Sequence, residues 1–166
     1  MSASLWGMDR EIARQLIQAA VLAPSSHNTQ PWLFRLREGG LELRADRTRA
    51  LPVNDPSDRE LTISCGCALF NLRVAAAHAG VPLRIRLLPD AQDADLLATV
   101  EMASAGAVAS DLVPYWDALT WRRTYRKAFV DRAVNQSAGP GSCARTCLAA
   151  TLGGRGHAPR PGGPGR

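Results

Sequence analysis

Apolar residues recur at helical spacing near the start of the chain and at alternating spacing after it. Residues 9–23 place apolar side chains on one stripe, with charged and amide side chains elsewhere, which predicts an amphipathic helix stopped by Pro24. Residues 32–37 then alternate apolar and basic positions towards their end, residues 41–46 alternate throughout, and the glycine pair at 39–40 is typical of a hairpin turn. The pattern predicts one helix followed by two antiparallel strands.

The middle of the chain contains its most apolar helical stretch. Ser57 or Asp58 can cap a helix that runs to about His78, and apolar residues occupy almost every face of it. Gly80 and Pro82 end this helix. A helix that is apolar on most faces is buried, so we expect it to be the central core helix.

Three further elements complete the pattern. Residues 83–88 alternate as a strand, residues 96–102 predict another, and a helix that opens at Ser110 or Asp111 runs through Leu119. The resulting order αββαββα predicts an α+β fold in which an antiparallel sheet packs against helices.

Charge and composition divide the chain at residue 134. Residues 135–166 carry four arginines and no acidic residue, so they hold most of the net charge of +5 and leave residues 1–134 nearly neutral. They include 8 glycines and 4 prolines among 32 positions. A segment of this composition cannot bury enough apolar area to offset the conformational entropy that it would lose on ordering. We therefore predict a folded region over 1–134 and a disordered Gly/Pro/Arg-rich tail over 135–166. Because the basic charge belongs to the tail, no nucleic-acid partner is expected.

The sequence predicts no leader, membrane span or metal site. Charged residues occupy the position of an apolar leader core, and Arg73 and His78 interrupt the longest apolar run before it reaches the roughly 20 residues that span a bilayer. The cysteines form two pairs without C-x-x-C spacing, Cys65/Cys67 and Cys143/Cys147. These features favour a cytoplasmic protein with free thiols, no membrane association and no metal.

A polar loop over residues 23–32 separates the first predicted helix from the first strand. Its sequence is A-P-S-S-H-N-T-Q-P-W, and the proline near each end restricts the backbone. Its Ser, Asn and Gln side chains offer donors and acceptors together, which suits a heteroaromatic ligand with both kinds of edge. The same residues also favour a helix C-cap followed by an Asx or serine turn, so the loop alone supports both interpretations.

Three arginines lie close together near the end of the predicted folded region. The segment W-R-R-T-Y-R over residues 121–126 contains Arg122, Arg123 and Arg126. A planar guanidinium group can donate two parallel hydrogen bonds to the oxygens of one phosphate, so the cluster can hold a phosphate. By itself, however, it is more typical of a solvated basic surface.

Four segments together resemble a known family. The loop A-P-S-S-H-N-T-Q-P-W resembles the flavin-contacting loop of the nitroreductase family, and more closely that of its two-repeat actinobacterial branch, typified by the Acg proteins. W-R-R-T-Y-R resembles the R-R-[ST]-x-R phosphate motif of that family. Residues 58–61 and 64–69 resemble its D-x-R-E-L and S-C-G-x-A-L blocks. The likeness covers about residues 9–134, and four blocks in the family's order are far more specific than one.

The resemblance implies a nitroreductase-like α+β fold that forms the first half of a pseudo-dimeric arrangement of two repeats. It also implies one FMN site. NAD(P)H would be a transient co-substrate, a small nitro-aromatic or quinone-like molecule would accept electrons, and no side chain would act as an essential acid or base. The implied contacts to the ribityl chain and pyrimidine edge are Ser25, Ser26, Asn28 and Gln30, and those to the phosphate are Arg122, Arg123 and Arg126.

Residues 135–166 do not resemble the second repeat that follows the arginine motif in this branch. The expectation is therefore a chain truncated after its first repeat, by a shift of reading frame near residue 134 or by another route. An exposed core face would follow, and with it self-association or poor stability.

The sequence thus predicts an FMN-dependent NAD(P)H nitroreductase-type oxidoreductase. Two alternatives remain open at this point. One is a non-catalytic protein that binds or sequesters FMN, and the other is an inactive remnant of the family.

Overall fold

The first helix, α1, begins and ends close to the predicted positions. The computed structural model describes residues 8–104, 106–124 and 127–128, and α1 spans Arg10–Ala20. The Asp9 carboxylate accepts a hydrogen bond from the backbone N–H of Glu11 at 2.6 Å, which caps the first turn. The helix stops before residue 23 because Pro24 disfavours helical geometry in the residue before it. The predicted domain boundary at 134 and the tail over 135–166 lie outside the described residues.

Four strands form one antiparallel sheet, as the sequence predicts. In chain order they are β1 (Trp32–Arg37), β2 (Gly40–Ala45), β3 (Leu83–Leu87) and β4 (Leu96–Met102). Their order across the sheet is β1-β2-β4-β3, and every neighbouring pair is antiparallel. The long connection from β2 to β3 therefore carries the chain to the far edge, and β4 returns between them.

The hairpin turn lies one residue earlier than the glycine pair suggests. Gly39 occupies the turn with φ +92°, whereas Gly40 already belongs to β2 and pairs with Arg37. A Cβ atom at Gly40 would lie 2.1 Å from the carbonyl oxygen of Val100 in β4. Gly39 therefore supplies the turn conformation, and Gly40 allows close approach of a neighbouring strand.

The central helix, α2, spans Arg59–His78 and forms the core of the described fold. It packs against α1, and its buried side chains share one apolar cluster with the inward side chains of β2 and β4. Among the described residues, α2 is the one helix long and apolar enough to cross a membrane, but 61% of its apolar stretch is buried inside the fold. The expectation that Arg73 and His78 keep every apolar run below spanning length is therefore wrong, because neither residue interrupts the helix.

The cap of α2 differs from the prediction. Asp58 precedes the helix but has φ 53°, and its side chain makes no capping hydrogen bond. Asp55 caps the helix instead. Its two carboxylate oxygens accept hydrogen bonds from the backbone N–H groups of Arg59 at 2.8 Å and Leu61 at 2.9 Å. The capping side chain thus comes from a turn before the helix, which local sequence rules do not indicate.

The last predicted helix is shorter than expected. Residues Ser110–Tyr115 form a 3₁₀ segment, and the α-helix α3 spans only Trp116–Trp121. Pro114 has no backbone N–H and cannot donate the helical hydrogen bond to the carbonyl of Ser110, so the α-helix begins after it. The order of helices and strands is otherwise the predicted αββαββα.

Candidate functional site

The polar loop after α1 adopts a backbone that ordinary residues seldom choose. Ser26–Asn28 form a single 3₁₀ turn, and three residues of the loop have positive φ: His27 at 51°, Asn28 at 57° and Gln30 at 51°. Such conformations cost on the order of 1 kcal/mol each outside glycine, so the surroundings must hold them in place. Strained backbone of this kind is concentrated at functional sites.

Two serines supply the hydrogen bonds that hold the loop. The Ser25 hydroxyl oxygen accepts the backbone N–H of Gln30 at 2.9 Å. The Ser26 backbone N–H donates to the Ser64 hydroxyl at 3.3 Å, and the Ser26 hydroxyl donates to the Glu60 carboxylate at 2.5 Å. In these bonds the Ser25 hydroxyl acts as an acceptor, whereas the Ser26 hydroxyl and N–H act as donors. Ser25 therefore keeps its proton to donate, and Ser26 keeps lone pairs that can accept.

Side chains from the following connector support the outer side of the loop. Arg49 donates to the carbonyl oxygen of Thr29 at 3.0 Å, and the Asn54 amide contacts His27 Nε2 at 3.1 Å. The Cys65 thiol donates to the carbonyl oxygen of Pro31 at 3.2 Å from the core side. The loop is thus fixed from both its exposed and its buried sides.

One face of α2 and the loop enclose a pocket of about 430 Å³. The helix contributes residues at spacings of three and four, which place them on one stripe. The loop contributes a second group of lining residues, and Thr124 also lines the pocket. The described lining residues are Pro24, Ser25, Ser26, His27, Glu60, Ile63, Ser64, Cys67 and Thr124.

The segment over residues 121–126, here called the arginine segment, reaches this pocket through Thr124. About a hundred residues separate it from the loop. Arg122 donates from its guanidinium to the carbonyl oxygen of Leu22 at 3.5 Å and to the Thr124 hydroxyl at 3.2 Å. Arg123 instead turns back and donates to the carbonyl oxygens of Thr120 and Arg122 at 2.8 and 2.9 Å. Arg126 lies outside the described residues. Of the two described arginines of this segment, Arg122 is therefore the one that bonds beside the loop, since Leu22 directly precedes it.

The two cysteines of α2 remain protonated thiols at neutral pH. Burial raises the pKa of Cys65 to about 12. Burial also raises the pKa of Cys67, and the nearby positive charge of Arg122 opposes this shift without reversing it. Both thiols are free, as predicted, and neither is an activated nucleophile.

The sequence found part of this pocket and missed part of it. Ser25 and Ser26 line it, whereas Asn28 is exposed, Gln30 is half-buried, and neither is among the described lining residues. The α2 stripe was missed as a site, although Glu60 and Ser64 are polar residues one turn apart on a mainly apolar helix. That spacing was the available signal.

A larger groove of about 560 Å³ lies away from the predicted site residues. Mainly apolar residues of α1, α2 and α3 line it, among them Leu16, Ala75 and Leu119. The rings of His78 and Trp116 stack at its margin with centroids 4.3 Å apart. The smaller pocket is nevertheless the better site candidate, because the strained loop and the arginine segment meet there.

Comparison with known proteins points to the same family as the four sequence blocks. No family model matches the chain. A Mycobacterium tuberculosis protein named "putative NAD(P)H nitroreductase" is 39% identical over 121 residues, which cover 73% of this chain and 35% of that protein. The protein acg of the same organism, with the same description, is 33% identical over 121 residues (73% and 37%). PigM of a Serratia species, a "probable NAD(P)H nitroreductase", is 33% identical over 125 residues (72% and 35%). Over this shared stretch the chain is similar to the Acg-type nitroreductases, and the comparison supports that family for it.

The chain spans about a third of the length of these curated relatives. The described fold agrees with the predicted class, since it is α+β with a four-stranded antiparallel sheet and three helices. Within that fold, the loop, the α2 stripe and the arginine segment converge on one pocket.

Proposed function

We propose that this chain forms an FMN-binding part of an NAD(P)H-dependent nitroreductase. The observation that carries the proposal is the pocket where the polar loop meets the arginine segment across about a hundred residues of sequence. Its volume of about 430 Å³ lies within the roughly 300–1,000 Å³ typical of small-molecule and cofactor sites.

The free hydrogen-bonding groups of the loop fit the pyrimidine edge of a flavin. That edge presents a ring N–H donor between carbonyl acceptors. Ser25 retains a proton that can donate to a carbonyl, and Ser26 retains lone pairs that can accept from the N–H. Asn28 and Gln30 are proposed to contact the ribityl chain or the same edge, since both follow these serines in the loop.

The phosphate end of the cofactor is assigned to the edge of the pocket marked by Thr124. Arg122 contacts Thr124 and bonds only to uncharged groups among its described hydrogen-bond partners, so an anion can replace them. Arg123 would have to release the carbonyl oxygens at the end of α3 before it could join. Arg126 is proposed as a third phosphate ligand from the family motif.

The bound flavin would supply hydride chemistry, and the chain's own residues would bind and orient it. The serines and the strained loop fix one edge of the site, and Arg122 fixes the charge at the other. NAD(P)H is proposed as a transient reductant and a nitro-aromatic or quinone-like molecule as the acceptor. Burial raises the pKa of Cys67, so its thiol is not an activated nucleophile, and positioning is the role proposed for the residues that line the pocket.

The remaining proposals concern the whole protein. The described αββαββα unit would be the first half of a pseudo-dimeric nitroreductase fold, in which a second unit covers the other side of the cofactor. A second copy of the chain can serve as that unit, which makes self-association part of the proposal. A cytoplasmic location, without nucleic-acid or membrane partners, is proposed with it.

FMN and riboflavin titrations of the full chain test the cofactor assignment. Arg122→Gln should raise the dissociation constant for FMN about 10- to 100-fold, because a charge-assisted hydrogen bond contributes about 1.5–3 kcal/mol. Riboflavin lacks the phosphate, so its affinity should stay within about twofold. Arg86→Gln, an exposed arginine of β3, is the matched control and should change neither value.

Two results would contradict this assignment. One is a wild-type chain that does not take up FMN, and the other is an Arg122 variant that loses FMN and riboflavin affinity equally. FMN-loaded protein is then assayed with NADPH and a nitro-aromatic acceptor. Binding without turnover would support FMN sequestration in place of catalysis.

A further inference from the structure

The Glu60 carboxylate lies in the pocket but has no role in the function proposed above. It stands in the first turn of α2 and accepts the Ser26 hydroxyl proton at 2.5 Å. Among the described lining residues it is the one acidic side chain, and none of them is Lys or Arg. The pocket therefore has a negative group beside the loop and a positive group, Arg122, beyond Thr124.

Glu60 and Ser64 together fix the orientation of Ser26. Ser64 donates its hydroxyl proton to the carbonyl oxygen of Glu60 at 2.7 Å and accepts the Ser26 N–H at 3.3 Å. Both donors of Ser26 are thus directed towards α2. The lone pairs of the Ser26 hydroxyl are left to accept a hydrogen bond from a ligand. The bonds to α2, and not the loop itself, therefore decide that Ser26 acts as an acceptor towards a ligand.

We propose that Glu60 is a positioning residue that lowers the reduction potential of the flavin held in this pocket. The inference rests on the proposed function. A flavin that takes up two electrons and one proton gains one negative charge, and a carboxylate beside it disfavours that state. Glu60 is exposed in the described structure, but a ligand over the pocket would displace water and reduce the screening of its charge.

Three variants of the full chain separate the charge of Glu60 from its structural contact. Glu60→Gln removes the charge but keeps an oxygen that can accept from Ser26. Ser64→Ala removes the other anchor of Ser26 and leaves the charge. Glu38→Gln removes one negative charge from the exposed hairpin turn, away from the pocket, and is the control. Each protein is loaded with FMN, and both the dissociation constant and the midpoint potential of the bound flavin are measured.

Glu60→Gln should make the midpoint potential more positive, and this shift should shrink at high ionic strength. Ser64→Ala should raise the dissociation constant for FMN about 2- to 10-fold, as expected for one lost hydrogen bond, without the same shift in potential. Glu38→Gln should match the wild type in both measurements.

The outcomes distinguish this inference from the proposed function. If the wild type fails to bind FMN, the proposed function and the role of Glu60 both fail. If it binds FMN but Glu60→Gln leaves the potential at the wild-type value, only the role of Glu60 is overturned. A Glu60→Gln variant that merely reproduces Ser64→Ala would reduce Glu60 to a structural anchor and would also overturn the inference.

Discussion

At the scale of single residues, the unusual feature is a loop whose conformation depends on its neighbours. His27, Asn28 and Gln30 have positive φ, a region in which asparagine and histidine are enriched and glutamine is not. Their conformations persist because Ser25 bonds to Gln30 and because Ser26 bonds to α2. Two serines therefore hold the backbone of the candidate site.

Ser25→Ala should weaken FMN binding more than it weakens the fold. The variant removes the acceptor of the Gln30 N–H and a donor to the cofactor, so the dissociation constant should rise about 10-fold for roughly 1.4 kcal/mol of lost hydrogen bonding. Titration with FMN measures this, and thermal unfolding measures the fold. Ser57→Ala, on the exposed connector, should change neither. Unchanged FMN affinity in Ser25→Ala would argue against this loop as the contact.

At the scale of elements, α2 unites the core with the site. One side of the helix buries residues such as Leu61, Cys65 and Leu72, while Glu60, Ser64 and Cys67 line the pocket. The start of the helix therefore sets the position of the pocket wall. Asp55 fixes that start by accepting two backbone N–H groups.

Asp55→Asn should lower the melting temperature by several degrees at neutral pH. Burial raises the pKa of Asp55, but hydrogen bonds from the N–H groups of Leu61, Glu60 and Arg59 outweigh it, so its pKa lies below the ordinary value of 3.8. An amide replaces one accepting oxygen with a donor that cannot pair with these N–H groups. Melting curves from pH 7 to pH 3 measure the effect.

The sign of the pH dependence follows from that lowered pKa. The folded state favours the ionised carboxylate, so its stabilisation is complete above the pKa of the unfolded chain and is lost as pH falls through the folded value. The difference in melting temperature between wild type and Asp55→Asn should therefore become smaller as the pH is lowered. Asp111→Asn, exposed before α3, should show no such difference. A difference that stays constant down to pH 3 would contradict the assignment.

At the scale of the whole molecule, large apolar side chains are exposed where α1 and α3 end. The hydrogen bond from Arg122 to Leu22 places these two ends together. Leu22 is 43% exposed and Trp121 is 83% exposed. Exposed apolar surface of this kind is typical of an interaction site, and it lies beside the arginine segment.

We expect the chain to self-associate through this surface. Sedimentation velocity over a range of concentrations should show the average mass rising above that of a monomer. Trp121→Ser should shift the distribution towards monomer, because it removes the most exposed large apolar ring among the described residues. Val53→Ser is the control, since Val53 is 90% exposed on the connector. A wild-type chain that stays monomeric at every concentration would refute the expectation.

The outline of the fold could be predicted because it depends on local patterns. Alternation identified β1 and β2, helical periodicity identified α1, and near-continuous apolarity identified α2 as a core helix. The errors fell where the deciding residue lies a few positions away from the one that the local rule considers. The cap of α2 comes from Asp55, and the length of α3 depends on where Pro114 lies within the turn that precedes it.

By itself, the sequence determined the order of the elements, the polar loop, the arginine segment and the family they resemble. These properties are encoded in residues adjacent in the chain, where periodicity and turn chemistry act. The tertiary structure alone decided that Glu60, Ser64 and Cys67 line the same pocket as the loop, and that Arg122 rather than Arg123 bonds beside the loop. Those relationships depend on how α2 packs and on where α3 ends, because packing joins groups that the sequence separates by up to a hundred residues.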